Sequence, residues 1–323
     1  MPIYLCRLEC CLRLSKYPAM ASLSHRQGWS LAVFLALFPC FLFPRSNDAD
    51  APSATYRTGT AEVRVAFYVT DEDNHLVHPI EKKDFAVVDG DLVIRDFRSL
   101  LPSQETALDI LILVDASESV ASRFDSVKQH VERLISQSPT GDRLAIMSFS
   151  GLNFNLLCAD DCASSGMREK LASLRPAGAT PLFDSLKSAA RYFAGRRDPS
   201  VRQVVILFSD GNDTISAASA RDALNAITDT GAVLYTLDLE GRDSRNSFTL
   251  KDMAEATGGR SLSKPESAAN VLPTILADLH ASYVVTYALP NRGAGFHSLR
   301  ILPQHNLNLR FHCRRGYTYD EDR

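Results

Sequence analysis

The 323-residue chain has no excess of charge of one sign: 35 basic side chains stand against 38 acidic ones. A nucleic-acid binder concentrates positive charge, so that class is set aside. Long apolar runs are also lacking. The uncharged stretch LAVFLALFPCFLF at residues 31–43 falls short of the roughly 20 residues a membrane-spanning helix needs, and Pro39 and Pro44 oppose such a helix. No nucleophile elbow, phosphate-binding loop or zinc-protease helix motif occurs, which removes the commonest catalytic signatures. Internal repeats and low-complexity tracts are missing too. The 45% hydrophobic content nevertheless suits a folded core, and the length allows one large domain with a smaller one.

The amino-terminal segment has its own character. His25 and Arg26 precede residues 31–43, and the polar PRSNDADAPSA follows them, which is the layout of a secretory signal. Met20 offers an alternative start, since residues 20–43 alone read as a basic-then-apolar signal. Residues 1–50 are therefore expected to be a signal peptide or an uncleaved anchor. The chain would then be exported, as a periplasmic or secreted protein, with residues 31–43 as its attachment to the inner membrane if uncut. Of the seven cysteines, Cys6, Cys10, Cys11 and Cys40 fall in this segment. Pro39 and Phe41 flank Cys40 where a lipoprotein site would place small residues. Cys158 and Cys162 are close enough in LLCADDCASS to bridge in an oxidising compartment, which leaves Cys313 unpaired; two inert thiols are the alternative. No further Cys or His lies nearby at zinc-ligand spacing.

Beyond this segment two kinds of pattern alternate. Residues 56–101 carry short alternating pieces, AEVRVAFYVT and FAVVDGDLVIRDFRSL, which predict antiparallel strands with one buried face. From Ala107 the strands LDILILVD, RLAIMSFS, QVVILFSD and AVLYTLDL are apolar throughout, the mark of a mostly parallel sheet covered on both faces. Helical periods lie between them. Phe124, Val127, Val131, Leu134 and Ile135 form one apolar stripe, and Leu182, Leu186, Ala189, Ala190 and Phe193 form another, with Pro181 in a first turn. A third helix is expected to stop at Gly231, and Pro273 falls early in a fourth. Alternating strands return in YVVTYALP, HSLRILP and LNLRFHCRRGYTY. Neither β segment is large enough to stand alone. The expected architecture is thus α/β: a doubly wound, mostly parallel sheet at 107–281 inserted in a small antiparallel β-sandwich built from 56–101 and 282–319.

In such sheets ligands bind at the carboxyl ends of the strands. The first parallel strand ends in Asp115-Ala116-Ser117-Glu118-Ser119, a later one ends at Asp210 in SDGND, and GAT places Thr180 before a helix. Two carboxylates and three hydroxyls from three regions suit a hard divalent cation such as magnesium, with manganese or calcium as alternatives. If the three hydroxyls coordinate directly and the carboxylates hold waters, the ion stays under-neutralised and can take a carboxylate from another molecule. Asp and Ser also serve as ordinary helix caps, so the Asp115–Ser119 stretch alone would be weak evidence.

DASESV, GATPLFDSL and ILFSDGND, in this order, resemble the metal-ion-dependent adhesion site of von Willebrand factor type A (VWA) domains. The flanks, VTDEDNHLVHPIEKKDFAVVDGDLVIRDF and YVVTYALPNRGAGFHSLRILPQHNLNLRFHCRRGYTY, are similar to the VWFA-related domain of acidobacterial exported proteins, so the resemblance covers roughly residues 60–319. It implies a Rossmann-like fold and metal-bridged, non-enzymatic binding of a protein partner that presents Asp or Glu, as in cell adhesion. Asp115, Ser117, Ser119, Thr180 and Asp210 match the five metal-site positions. Glu118 departs from the usual small residue there; turned inward it would neutralise the ion, turned outward it would matter little. Two other readings remain: a metal-independent structural component of the cell envelope, and a metal-dependent hydrolase whose nearest general bases would be Asp210, Asp213 and Glu118.

Several further residues are read as ordinary. Asn212 and Asp213 are expected to form a turn, and Asp238 to lie at the same sheet edge as the site. His75 and His78 are expected to face solvent, and Arg314 and Arg315 to be strand-edge charges that discourage pairing.

Overall fold

Near-continuous apolar strands need cover on both faces, and the computed structural model supplies it. It describes residues 61–319 apart from 104–106, 139–141, 161, 163–164, 197–200, 240–244, 264–269 and 291–292. Residues 1–50, with the expected signal, lie outside the described residues. Among those described, no helix is long and apolar enough to cross a membrane.

The chain enters through β1 (Glu62–Thr70), β2 (Phe85–Asp89), β3 (Leu92–Ile94) and β4 (Ser99–Pro102). It continues through β5 (Leu108–Asp115), α1 (Phe124–Gln137), β6 (Arg143–Ser150), β7 (Asn153–Cys158), α2 (Ser165–Ser173), α3 (Leu182–Ala194) and β8 (Arg202–Ser209). Next come α4 (Ala220–Thr230), β9 (Val233–Asp238), α5 (Arg245–Ala256), β10 (Ser261–Ser263) and α6 (Val271–His280). It closes with β11 (Tyr283–Ala288), β12 (Gly295–Pro303), β13 (Arg310–Cys313) and β14 (Gly316–Tyr319).

The central sheet has the order β10-β9-β8-β5-β6-β7, parallel except for the antiparallel edge strand β7. Every residue of β5 is buried. Because side chains alternate along a strand, Ile110, Ile112 and Val114 pack in one apolar layer with α1, α2 and α6, while Leu111 and Leu113 pack in another with α3, α4 and α5. Phe124, Val127, Val131 and Leu134 of α1 are buried, each contributing about 1.5–3 kcal/mol; Ile135 is only partly covered. All five stripe residues of α3 are buried. Pro181 stands just before α3 rather than inside its first turn, and its carbonyl accepts the Ser185 N–H at 2.9 Å. Helix α4 begins at a Ser219–Asp222 capping box and ends at Gly231, whose φ of 81° few other residues tolerate.

The antiparallel strands form two four-stranded sheets, β13-β1-β11-β4 and β14-β12-β2-β3. They face each other across a core that includes Phe67, Phe85, Tyr283 and Ile301. Strands from before β5 pair with strands from after α6: Val65 lies opposite Val285, and Val87 opposite Ile301. The parallel sheet is therefore spliced between two halves of the antiparallel part. Strand β2 is buried along its whole length, not on one face only.

Side chains tie the two parts together. Arg202, at the start of β8, donates to the Ser103 Oγ at 3.1 Å, to the Leu279 carbonyl at 3.2 Å and to the Ser282 Oγ. Arg314 and Arg315 correct the strand-edge reading. The chain changes sheets between β13 and β14, and there Arg314 donates to the Arg64 carbonyl at 3.1 Å and lies over the Tyr317 ring. Arg315 pairs with Asp252 at 2.9 Å and Glu255 at 3.5 Å on α5. Arg315 holds the sandwich to α5, and Arg314 joins strands within the sandwich.

Four elements had no sequence reading: β7, α2, α5 and β10. Cys158, at the end of β7, is disulfide-bonded to Cys162, and Cys313 is a free thiol.

Candidate metal centre

The sheet order reverses at β5, since β6 lies on one side of it and β8 on the other. The helices that follow β5 and β8 must leave toward opposite faces, which opens a crevice at the carboxyl end of β5. Asp115 is the last residue of that strand and is fully buried. Its Oδ1 accepts the Ser117 backbone N–H at 2.9 Å, and its Oδ2 accepts the Ser209 hydroxyl at 2.7 Å from the neighbouring strand. Burial pushes its pKa up to about 6, and the charge of Asp210 adds to that; the bonds from Ser117 and Ser209 oppose the rise.

Ser117 is buried, and its Oγ lies 3.0 Å from the Oγ of Ser119, which is exposed at the start of a 3-10 turn spanning Glu118–Arg123. Glu118 faces solvent, the orientation in which it does not neutralise the crevice. Its backbone N–H donates to the Gly178 carbonyl at 3.0 Å, and the Ala177 N–H donates to the Ala116 carbonyl at 2.9 Å. The loop after β5 is thus laced to the loop that carries Thr180.

Thr180 is buried, and its own loop is fixed from two sides. The Gly151 N–H donates to the Ala179 carbonyl at 2.7 Å. The Thr180 N–H donates to the Thr214 Oγ1 at 2.8 Å, and the Thr214 N–H donates back to the Thr180 carbonyl at 2.9 Å. Thr214 follows Asp210, which is also buried and whose Oδ1 accepts the Asn212 N–H at 3.0 Å.

The start of α3 is stitched to the same loop. Asp213 Oδ1 accepts the Phe183 N–H at 3.2 Å. The Asp184 carboxylate accepts the Ala217 and Ala218 N–H groups at 2.9 and 3.1 Å, and the Asp184 N–H donates to the Ser216 Oγ at 3.1 Å. Asp213 is therefore a helix-capping acceptor, more than the plain turn former read from sequence. Asp238, buried at the end of β9, lies opposite Ser209 in register.

The three loops thus meet at one end of the sheet through backbone bonds and through the electrostatic coupling of Asp115 with Asp210. Among the described residues, no direct side-chain bond joins Thr180 or Asp210 to the trio Asp115, Ser117 and Ser119. The donor set fits a hard divalent cation: it is all oxygen, and it holds two buried carboxylates whose mutual repulsion a cation would relieve. Sequence reasoning missed Ser209, Thr214 and Asp184. Ser209 was legible as the serine of FSDGND, but only strand pairing shows that it reaches Asp115.

A second acidic group lies on the sandwich. The ligand atoms of Asp71, Asp73 and His75 lie within 4.8 Å of one another. Asp71 there closes a turn by accepting the His75 N–H at 2.8 Å, a bond that holds its carboxyl below the usual range. His75 and His78 are exposed, as expected.

Residues 110–212, which include all five expected metal-site residues, match the von Willebrand factor type A domain family. A von Willebrand factor type A protein from Catenulispora acidiphila is 14% identical, over 83% of this chain and 76% of that one, with a TM-score of 0.46. An aerotolerance-related membrane protein from Bacteroides fragilis is 16% identical over 54% of this chain and 98% of that one, with a TM-score of 0.44. The vWF domain of the type V pili tip protein Mfa5 from Porphyromonas gingivalis is 14% identical over 54% and 96%, with a TM-score of 0.43. The match assigns a von Willebrand factor type A domain to residues 110–212 of this chain.

Proposed function

We propose that the protein is an exported binding module that captures a partner protein through a divalent cation held by Asp115, Ser117, Ser119, Thr180 and Asp210. The observation that carries the reading is the convergence of two buried carboxylates with the Ser117 and Thr180 loops at the switch point of the sheet. A cation of the magnesium type, when bound there, supplies an incompletely neutralised charge that can receive an acidic side chain of a partner. Ser117, Ser119 and Thr180 would hold it directly, and Asp115 and Asp210 through water. Ser209 and the Ser117 N–H keep both Asp115 oxygens oriented, and the stitching of Asp184 to Ala217 and Ala218 keeps the Thr180 and Asp210 loops in step. The exposed Glu118 leaves the mouth of the site open to an anion.

In this reading residues 107–281 are the capture module, 56–101 with 282–319 the sandwich that carries it, and 1–50 the export signal or anchor. The protein is a binder and not an enzyme. Calorimetric titration with magnesium and manganese tests it: saturable heat and a raised melting temperature are expected, both lost in Ser117→Ala and Asp210→Asn. A wild-type chain that takes up no cation would end the proposal and favour the metal-independent envelope component.

A further inference from the structure

A cleft of about 740 Å³ lies away from this crevice, where α5 and β10 meet β12 and β13. Its volume falls in the range of about 300–1,000 Å³ that small-molecule sites occupy, and like many of them it sits where two parts of a chain meet. The floor is closed. β13 pairs with β1 along one edge, and β12 lies directly beside the other, where the Leu299 N–H donates to the Arg315 carbonyl at 2.7 Å and the Ile301 N–H meets the Cys313 thiol. These backbone groups already have partners, so side chains decide what the cleft can hold.

Those side chains are cationic, although the whole chain has a net charge of -3. Lys251, Arg260, Arg300, Arg310 and Arg315 line the cleft against a single acid, Glu255. Arg260 is bound by the buried Asp278, while Arg315 and Lys251 share Glu255. Arg300 and Arg310 are exposed and have no ion-pair partner among the described residues. Burial lowers the pKa of His312, another wall residue, and the charges of Arg260 and Arg310 lower it further, so both arginines lie within electrostatic reach of one ring. Like charges gathered in this way repel one another, and an anion among them would relieve the repulsion.

The aromatic rings of the cleft are engaged elsewhere. Phe311 packs on Phe67 and Phe85, and His312 stacks on Tyr68. A strand of nucleic acid would find no free ring on which to stack its bases. A compact anion needs none, because guanidinium groups grip carboxylate or phosphate oxygens through paired N–H donors. A single negative charge would leave Arg300 or Arg310 without a partner, whereas a molecule with two or more matches both.

We infer that the cleft binds a small polyanion, a molecule with at least two carboxylate or phosphate groups, whose charges pair with Arg300 and Arg310. This second site is independent of the cation site.

The test uses the full chain with chelator present, so that the cation site stays silent, and titrates it with citrate and with pyrophosphate in separate calorimetric runs. Saturable heat is expected from at least one of them, with weaker binding in a second series at higher salt. The two runs tell carboxylate from phosphate recognition. The His312 ring resonances should move along the same isotherm. The double variant Arg300→Gln, Arg310→Gln should bind at least about tenfold more weakly, with an unchanged melting temperature, whereas Arg133→Gln, on α1 and outside the cleft, should bind as the wild type does. No saturable heat from either probe, equal binding by the double variant, or His312 resonances that stay in place would overturn the inference. A single-stranded oligonucleotide that binds more tightly than both probes would also overturn it, in favour of nucleic acid.

Discussion

The Ser209 hydroxyl reaches across two neighbouring strands to donate a 2.7 Å hydrogen bond to Asp115 Oδ2. Both residues are fully buried, so this bond meets a charged oxygen that water does not reach. Ser209→Ala should destabilise the fold by about 1–3 kcal/mol in denaturant unfolding with chelator present. Magnesium uptake should weaken in the same variant. A Ser209→Ala chain as stable as wild type would show that Asp115 relies on other partners.

Gly211, next to Asp210, has φ of 77°, and a Cβ there would lie 2.7 Å from the Asn246 carbonyl oxygen. Gly90, with φ of 59°, has nothing within 4 Å of that position. Gly90→Ala should therefore cost only the left-handed backbone penalty of about 1–2 kcal/mol. Gly211→Ala should cost clearly more and displace Asp210 as well. Urea melts of the two variants, side by side, check the order.

Asp184 accepts two backbone N–H groups from the loop beyond Asp210. Asp184→Ala should raise amide hydrogen exchange at Ala217 and Ala218 while leaving β5 protected. The magnesium-induced rise in melting temperature should shrink without vanishing, because none of the five residues proposed to hold the cation is altered. Unchanged exchange at both amides would contradict the stitching role.

His312 offers a pH test outside the site. Burial, helped by the charges of Arg260 and Arg310, lowers its pKa from 6.5 to about 4. The unfolded chain therefore takes up the proton first as pH falls. The stability from neutral His312 is fully present above about pH 6.5, drains through the interval down to about 4, and is gone below it. Over that interval the wild type should lose up to about 3 kcal/mol more than His312→Gln. Parallel pH profiles for the two proteins would refute the assignment.

Much of the fold could be read from periodicity. The unbroken apolar run Leu108–Val114 announced a strand covered on both faces, and the stripes of α1 and α3 announced the layers that cover it. β7 and β10 escaped because they are outer strands and need no such run: Asn153, Asn155 and Leu156 of β7 are exposed, and β10 is three residues long. Arg314 and Arg315 were misread because a charge at a strand end looks the same whether it meets solvent, a distant strand as Arg314 does, or a helix 60 residues away in the chain as Arg315 does. Of the candidate site, the five oxygen-bearing residues were legible as a motif. The partners that orient them were not.

Local chemistry, written in the order of residues, determined which segments become strands and helices, where Gly231 stops one, and which oxygens sit at strand ends. Only the tertiary structure decided that Ser209 serves Asp115, that Thr180 and Thr214 share their hydrogen bonds, and that strands near both ends of the described chain pair into one sandwich. Periodicity acts over a few residues through backbone geometry. Pairing across tens or hundreds of residues is chosen by the burial and hydrogen bonding of the whole chain at once.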